Sequence, residues 1–272
     1  MRSLKPTRFF PLLILLLYVS SLALYGAEQR KFERVDYRKG LSQNHITVIH
    51  QDKRGFMWFG TSDGLVCYDG YDFIPFRYDP RDSTSISGNY IFSIFEDSFD
   101  KMWIRTSGGG LNCYDPDTQA FRRFYKRKQS DNSLSDNEIT VLYEDRQKRL
   151  WIGTKGGGLN RFQRSERTFQ TYRARSGELS GDLVSAILQD SKNRLWVGTS
   201  GDGISRAILP DSLTSEKELP LKFRQYGSSR EAYLPQLSAR INSLLSENKP
   251  IVSQLHPGNN ISERILFKIA EP

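Results

Sequence analysis

The chain has 272 residues, of which 38% are hydrophobic and 26% charged, so it has enough apolar material for one or two globular domains, and its composition excludes a disordered or fibrous protein. The 16 Phe, 13 Tyr and 4 Trp, against only 3 Met, favour β-strands, because aromatic side chains pack well on a pleated surface. The formal net charge is +8, but a nucleic-acid partner requires a clustered basic face, and we interpret the one basic run as a solvated loop (Arg122, Arg123, Lys126, Arg127, Lys128).

The first segment has the pattern of a secretory signal peptide. Basic residues precede an apolar stretch from Phe9 to Val19, and small residues lie near Ala27. The stretch is shorter than the roughly 20 residues that a membrane-spanning helix needs. We therefore predict that residues 1–27 form a signal peptide cleaved near Ala27, or alternatively after Ala23 or Gly26, and that the rest is exported to the periplasm. A longer, uncleaved apolar segment would instead anchor the chain.

One phrase then occurs four times. The tryptophans are 45, 48 and 45 residues apart, and an aspartate stands six residues before each of them. Four agreeing copies indicate a repeat protein in which every unit packs on its neighbours. The repeated residues are Trp58, Trp103, Trp151 and Trp196, with Asp52, Asp97, Asp145 and Asp190.

Each repeat predicts four short strands. In the third copy these are Ile139–Tyr143, Leu150–Thr154, Leu159–Phe162 and Phe169–Tyr172, separated by polar and glycine-rich turns. Such a period is typical of propeller blades, so we predict an all-β protein, a β-propeller over residues 28–226 with four four-stranded blades in an incomplete ring. Two apolar columns of the first strand are expected to be buried in every blade: Ile46, Ile91, Ile139 and Val184, and Ile49, Ile94, Leu142 and Ile187.

The repeats resemble the two-component regulator propeller repeats of extracytoplasmic sensor regions in hybrid histidine kinases. The resemblance rests on LWIGTKGGGLNRF (Leu150–Phe162) and LWVGTSGDGISR (Leu195–Arg206), preceded by SDNEITVLYED (Ser135–Asp145). Arg105 departs from the pattern, because the other copies have glycine there. The resemblance implies a sensor that binds an extracellular oligosaccharide and catalyses nothing itself. It also implies that further blades, a β-sandwich, a membrane helix and a kinase belong to a longer parent protein.

The segments flanking the repeats predict that the chain is the front piece of that protein. Lys31–Val35 is expected to be an outer strand without a blade of its own, and an insertion is expected around Asp211–Leu219. Residues 227–272 are unassigned, as the start of a further blade or an inserted domain. Within them Leu237–Asn248 loosely matches a first strand, but no Asp-to-Trp phrase follows. A four-bladed ring that closes on itself is the alternative. Membrane contact is expected only through a missing C-terminal region or an uncleaved N-terminal segment.

The best candidate ligand site is the loop that enters the first strand of each repeat. In a propeller these loops gather at one mouth of the central channel, where loops on a rigid frame commonly bind partners. Asn44, Asn89 and Asn137 recur there, and the next residue varies: His45, Tyr90, Glu138. Aromatic and amide groups suit a sugar, although variable solvent-exposed loop residues are the simpler interpretation. Arg105 is predicted either to bind an anionic sugar group or to form a structural salt bridge.

Other site classes find little support. The glycine-rich turns lie between strands and do not open a helix, as a phosphate loop does. The recurrent aspartates are spread around the scaffold and are interpreted as Asx-type turns. We predict no catalytic residue, no metal site and no cofactor. Cys67 and Cys113 occupy one equivalent position in adjacent blades, and sheets about 10 Å apart exceed the reach of a disulfide. A propeller-type carbohydrate-active enzyme (lyase or glycosidase) and a protein-interaction scaffold are the alternative functions.

Overall fold

The computed structural model describes residues 40–128, 130, 132–211 and 219–227. Over these ranges the chain forms sixteen strands in four antiparallel sheets, which we number blade 1 to blade 4. The predicted all-β propeller fold with four-stranded blades is therefore confirmed. The predictions for the signal peptide, for Lys31–Val35 and for Leu237–Asn248 lie outside the described residues, as does most of the predicted insertion.

The strands follow one another in chain order within each blade. Blade 1 contains β1 (Ile46–Gln51), β2 (Met57–Thr61), β3 (Gly64–Tyr68) and β4 (Phe73–Phe76). Blade 2 contains β5 (Ile91–Glu96), β6 (Met102–Thr106), β7 (Leu111–Asp115) and β8 (Ala120–Phe124). Blade 3 contains β9 (Ile139–Glu144), β10 (Leu150–Thr154), β11 (Leu159–Gln163) and β12 (Thr168–Tyr172). Blade 4 contains β13 (Val184–Gln189), β14 (Arg194–Thr199), β15 (Gly203–Ile208) and β16 (Arg224–Tyr226).

Each blade packs through two faces. Its leading face contacts the preceding blade, and its trailing face contacts the following one. At the first junction Trp58 and Leu65 of blade 1 share a core cluster with Met102, Ile104 and Tyr114 of blade 2. Trp103 and Trp151 repeat this arrangement at the next two junctions. All three indoles are at most 1% exposed, so the hydrophobic core of the molecule lies between blades.

Neither apolar column is fully buried throughout: Ile46 in the first column, and Ile94 and Leu142 in the second, are only half-buried. Ile49 is 58% exposed, whereas the equivalent Ile187 is only 7% exposed. The prediction of burial was therefore wrong for Ile49. The physical reason is position: this column belongs to the leading face, and no described blade precedes blade 1. At the other end, the trailing face of blade 4 carries a small cluster whose buried members are Trp196 and Ile204.

Glycine is required where the second strand turns into the third. Gly158 has φ +81°, and a Cβ there would lie 2.2 Å from the carbonyl oxygen of Tyr172. Gly110 in blade 2 meets the carbonyl oxygen of Phe124 in the same way. The turns are therefore tight connections fixed by backbone geometry, as predicted. Across the described ranges, no helix has the length and apolar character needed to cross a lipid bilayer.

Candidate ligand-binding site

Two sets of loops meet at one end of every blade, which we call the mouth end. Because antiparallel strands alternate in direction, the loop entering the first strand and the glycine-rich turn lie at the same end. A serine of the entry loop is within hydrogen-bond distance of the threonine that ends the second strand. The Oγ–Oγ1 distances are 3.0 Å for Ser42–Thr61, 2.8 Å for Ser87–Thr106, 3.5 Å for Ser135–Thr154 and 3.0 Å for Ser180–Thr199. The repeated serine therefore fastens one loop to the other.

The repeated asparagine also has a structural role. The Oδ1 atom of Asn89 accepts a hydrogen bond from the Tyr78 N–H at 2.8 Å, and that of Asn137 accepts one from the Lys126 N–H at 2.7 Å. The backbone N–H of Asn44 donates to Oε1 of Gln43 at 2.9 Å. Two of the three predicted binding amides thus hold the entry loop, with their amide oxygens already engaged.

The variable residues of blades 1 and 2 lie together. The ring centroids of His45 and Tyr90 are 6.5 Å apart, and those of Tyr90 and Phe92 are 4.9 Å apart. The guanidinium carbon of Arg105 lies 4.8 Å from the centroid of the Phe92 ring. Tyr90 is 38% exposed. These four side chains (His45, Tyr90, Phe92, Arg105) form a continuous series across two blades, which we call the mouth row.

Arg105 is held by backbone carbonyls of blade 3. Its Nη1 donates to the carbonyl oxygens of Ile139 at 2.6 Å and Thr140 at 2.8 Å. None of the described acidic residues forms an ion pair with it, so these bonds stand where a salt bridge was expected. Its Nε is buried without a hydrogen-bond partner in the described part of the chain. Burial lowers the pKa of the Arg105 guanidinium, and the negative charge of Glu138 acts in the opposite direction.

Phe92 is the residue of this site that the sequence reasoning missed. Thr47 of blade 1 donates through Oγ1 to the carbonyl oxygen of Ile91 at 2.6 Å, and Thr140 of blade 3 makes the same bond to Val184. Phe92 occupies this position in blade 2 and has no hydroxyl group, and Arg105 supplies the missing donor. The signal was present in the column Thr47, Phe92, Thr140 and Ser185, which changes type in the same blade as the Gly-to-Arg exchange.

The junction of blades 2 and 3 also differs in the contacts between the first strands. The first strands of neighbouring blades lie against each other at two junctions, β1 with β5 and β9 with β13, but β5 and β9 do not approach each other in this way. Phe92 belongs to β5, and Arg105 reaches from β6 across this junction to the backbone of β9. An aromatic ring and a guanidinium are therefore presented at the junction of blades 2 and 3, where the other junctions are closed by backbone.

At the opposite end of each blade, the repeated aspartate organises a turn. In blade 3, Oδ1 of Asp145 accepts the N–H groups of Gln147 and Arg149, and Oδ2 accepts the indole N–H of Trp151 at 2.8 Å. The same three contacts recur at Asp52, Asp97 and Asp190. These carboxylates are committed to the scaffold. Among the described residues, no group of three or more His, Cys, Asp or Glu is arranged to hold a metal ion.

A cavity of about 380 Å³ lies at that opposite end, between blades 1 and 2. Lys53, Asp100 and Lys101 line it. Their charges are paired locally, because Lys53 Nζ lies 2.6 Å from Asp100 Oδ1 and Lys101 Nζ lies 2.8 Å from Asp115 Oδ1. The paired charges leave the mouth row as the stronger candidate site.

Four segments of the chain match one known repeat family. Residues 40–63, 85–108, 133–156 and 178–201 each match the two-component regulator propeller family. Each match runs from the entry loop through the aspartate turn to the end of the second strand. This is the part of the blade that carries the repeated contacts described above. The chain therefore contains four two-component regulator propeller repeats.

Similar proteins come from one- and two-component systems. The extracellular domain of a hybrid two-component system from B. thetaiotaomicron is 27% identical, with a TM-score of 0.59 over 71% of this chain and 26% of that chain. The extracellular domain of a one-component system from the same organism is 26% identical, with a TM-score of 0.52 over 63% of this chain and 25% of that chain. Histidine kinase P4 of Formosa agariphila is 54% identical over 48 residues, 18% of this chain and 4% of the kinase. The chain thus spans about a quarter or less of these relatives.

Proposed function

We propose that this chain is exported and forms part of the ligand-binding extracellular region of a two-component signalling protein, where it binds an oligosaccharide. The observation that carries the proposal is the mouth row, in which aromatic rings from two blades lie in series and end at a cation. The similarity to extracellular domains of two-component systems supports the same assignment. The remaining domains of the kinase are the proposed partners inside the parent protein.

The chemistry of the row suits a sugar chain. The ring of Tyr90 is partly exposed and can stack on the apolar face of a pyranose, while His45 can donate or accept a hydrogen bond from a hydroxyl group. The amide groups of Asn44, Asn89 and Asn137 lie on the same entry loops and would contact further hydroxyls. A ligand that spans His45 to Arg105 must cover two blades, which favours an oligosaccharide over a monosaccharide.

Arg105 gives the ligand a direction. Its guanidinium is not neutralised by an ion pair with a described residue, and its desolvated surroundings strengthen attraction to an anion. We therefore place an acidic sugar residue beside Arg105 and a neutral one beside Tyr90. Glu138, on the entry loop of blade 3, would accept hydrogen bonds from sugar hydroxyls and repel a second anionic group.

Calorimetry against matched neutral and uronic-acid oligosaccharides tests this proposal. We expect acidic oligosaccharides to bind more tightly than neutral ones, with a difference that shrinks as salt is added. Tyr90→Ala should weaken binding about tenfold, because stacking contributes on the order of 1 kcal/mol. Tyr71→Ala is the matched control, since Tyr71 is 90% exposed in the turn at the opposite end.

Two outcomes would contradict the proposal. Equal loss of binding in the Tyr71 and Tyr90 variants would place the ligand away from the mouth row. Absence of binding across the panel would favour the scaffold alternative. We also propose that the chain does not catalyse a reaction, and mass spectrometry of the incubated oligosaccharides should therefore return them intact. Release of shorter or unsaturated products would support the lyase or glycosidase alternative instead.

For signalling, binding must favour one arrangement of the parent protein over another. A ligand shifts such an equilibrium only by the difference in its affinity for the two arrangements. The mouth row spans a blade junction, and its last member is bonded to the following blade. A ligand on the row would therefore contact groups whose relative positions depend on how blades 1 to 3 are packed.

A further inference from the structure

In blades 2, 3 and 4, one side chain binds the aspartate turn of the preceding blade. The carboxylate of Glu96 accepts the N–H of Lys53 at 3.1 Å, and that of Glu144 accepts the N–H of Ser98 at 2.8 Å. Oε1 of Gln189 accepts the N–H of Arg146 at 2.8 Å. All three acceptors immediately precede the repeated aspartate of their own blade, and all three donors immediately follow the aspartate of the preceding blade. We call this contact the interblade clasp.

The clasp recurs at all three junctions of the described blades, so we regard it as a general feature of how these blades pack. A carboxylate or a side-chain amide serves equally as the acceptor, since Gln189 takes the place of Glu96 and Glu144. A charged acceptor makes the stronger hydrogen bond. The residue at this position in blade 1, Gln51, bonds within its own turn through Nε2 to the carbonyl oxygen of Gly55.

Blade 4 has the donor half of a clasp without its acceptor. Ser191 follows Asp190 and is equivalent to Lys53, Ser98 and Arg146. Within the described ranges, no residue accepts a hydrogen bond from the Ser191 N–H. The trailing face beside it is apolar and basic: Trp196 and Ile204 are its buried members, and the guanidinium groups of Arg194 and Arg206 lie 5.4 and 5.5 Å from the Trp196 ring.

Leu237–Asn248 has the sequence of a strand that would supply the acceptor. Its Leu-Ser start and its final Asn248 have the same spacing as Leu134, Ser135 and Asp145 in blade 3. In this alignment Glu247 falls on the clasp position, Leu245 on the leading-face column of Ile187, and Asn248 on the repeated aspartate, whose backbone hydrogen bonds an asparagine oxygen can also accept. Two positions depart, because Asn242 stands where Ile139 would be and Arg240 stands where the repeated Asn137 would be.

We propose that Leu237–Asn248 packs on the trailing face of blade 4 as a first strand and that the Glu247 carboxylate accepts the Ser191 N–H. The strand adds Leu245 to the cluster of Trp196 and Ile204. It also brings a negative charge towards Arg206, whereas Arg194 is already paired with Asp190. This segment of the chain, and not a second copy of the protein, is therefore the occupant of the open face.

Amide hydrogen exchange on the full chain tests the clasp at single residues. We expect the Ser191 amide to be protected in the unmodified protein and to exchange at least about tenfold faster in Glu247→Ala, because one hydrogen bond is lost. Glu247→Gln should keep the protection, as Gln189 does at its own junction. Glu263→Ala is the matched control and should change nothing. Glu144→Ala is the positive control and should expose the Ser98 amide by a similar factor.

The Ser98 amide also reports whether the Glu247 variants are folded, since its clasp lies two blades away. Equal exchange at Ser191 in the unmodified protein and in Glu247→Ala, with Ser98 still protected, would overturn the proposal. So would loss of protection in both the alanine and the glutamine variants. Protection that vanishes on dilution but survives Glu247→Ala would assign the face to a second copy, and would overturn it as well.

Discussion

Phe92 and Arg105 are two linked departures from the repeat. Blade 2 has Phe92 in the column of Thr47 and Thr140, and Arg105 where the other blades have glycine. In blade 1 the residue equivalent to Arg105 is Gly60, and a Cβ there would lie 2.5 Å from Val48 and 2.8 Å from Ile91. An arginine fits in blade 2 because Ser93 replaces the valine and because β5 and β9 are more widely spaced. We therefore expect the residues at these three positions to act together.

Removing Arg105 should therefore destabilise the protein. Arg105→Gly deletes two hydrogen bonds to blade 3 and leaves a void beside Phe92, for which we expect a loss of about 2–3 kcal/mol in the free energy of unfolding. The triple variant Phe92→Thr, Ser93→Val and Arg105→Gly copies blade 1 and should recover at least half of that loss. Urea unfolding measures both. A triple variant no more stable than Arg105→Gly would show that the three positions are independent.

The two cysteines should be unreactive in the folded protein. Burial raises the pKa of Cys67 to about 11 and that of Cys113 to about 12, so almost no thiolate is present at pH 8. We expect maleimide labelling at least about 100-fold slower than in urea, where both thiols should react. Fewer than two reactive thiols in urea would instead indicate a disulfide, and rapid labelling in buffer would contradict the buried positions.

At the scale of elements, each aspartate turn requires a guanidinium, but its source differs. Asp52, Asp145 and Asp190 use an arginine of their own turn: Arg54, Arg149 and Arg194. Asp97 uses Arg164, which comes from the next blade and also reaches Glu144 at 3.1 Å. Lys101 stands at the position of Arg149 and is paired with Asp115 instead. The junction of blades 2 and 3 therefore has an additional link.

This difference predicts unequal effects of two similar substitutions. Arg164→Ala leaves the fully buried Asp97 carboxylate without its cation and cuts a link between blades, so we expect a loss of about 2 kcal/mol. Arg54→Ala should cost less than about 1 kcal/mol, because Arg54 is 44% exposed and acts within one turn. Chemical denaturation of the two variants measures both losses in the free energy of unfolding. Equal losses would mean that the link between blades adds nothing.

The strands were predictable because the four copies of the repeat can be compared with one another. Four copies of one phrase fix strand order and turn positions, and the four strands predicted for the third copy agree with β9 to β12 to within one residue. Burial was predictable only where a neighbour exists on both sides, as Ile49 shows by contrast with Ile187. A column of similar residues reports a shared position in the blade but does not report whether a further blade covers it.

The candidate site was predictable in part. Sequence variation within the repeat pointed to His45, Tyr90 and Glu138, and the first two are neighbours in the structure. Asn89 and Asn137 were chosen for their chemistry, but their amide oxygens hold the entry loop. Phe92 was missed because its role depends on Arg105, which lies on another strand, and contacts between positions on different strands are not visible in a single column.

At the scale of the whole molecule, stability is distributed over junctions. The large apolar clusters each combine the trailing face of one blade with the leading face of the next. In such an arrangement each blade contributes its own stability plus a term for each neighbour. The leading face of blade 1 lacks a neighbour in the described part, so blade 1 should open before blades 2 and 3.

Because of the aspartate turns, the free energy of unfolding should depend on pH and decrease in acid. Burial alone would raise the pKa of Asp52 and Asp190, but hydrogen bonds from Trp58 and Trp196, from arginine side chains and from backbone N–H groups lower it below the ordinary value of 3.8. A carboxyl whose pKa is lower in the folded state than in the unfolded one stabilises the fold above the unfolded pKa of about 3.9. That stabilisation is lost as the pH falls through the folded pKa.

Asp190→Asn should reveal this dependence. At pH 7 we expect the variant to be about 2 kcal/mol less stable than the unmodified protein, because the fully buried carboxylate of Asp190 lies 2.5 Å from Arg194 Nε. Below about pH 4 the difference should shrink, because the carboxyl is protonated first in the unfolded state and, at still lower pH, in the folded state as well. Asp117→Asn controls for the loss of one charge, because Asp117 is 88% exposed. Urea midpoints measured from pH 7 to pH 2.5 would contradict this account if the gap between Asp190→Asn and the unmodified protein stayed constant or widened in acid.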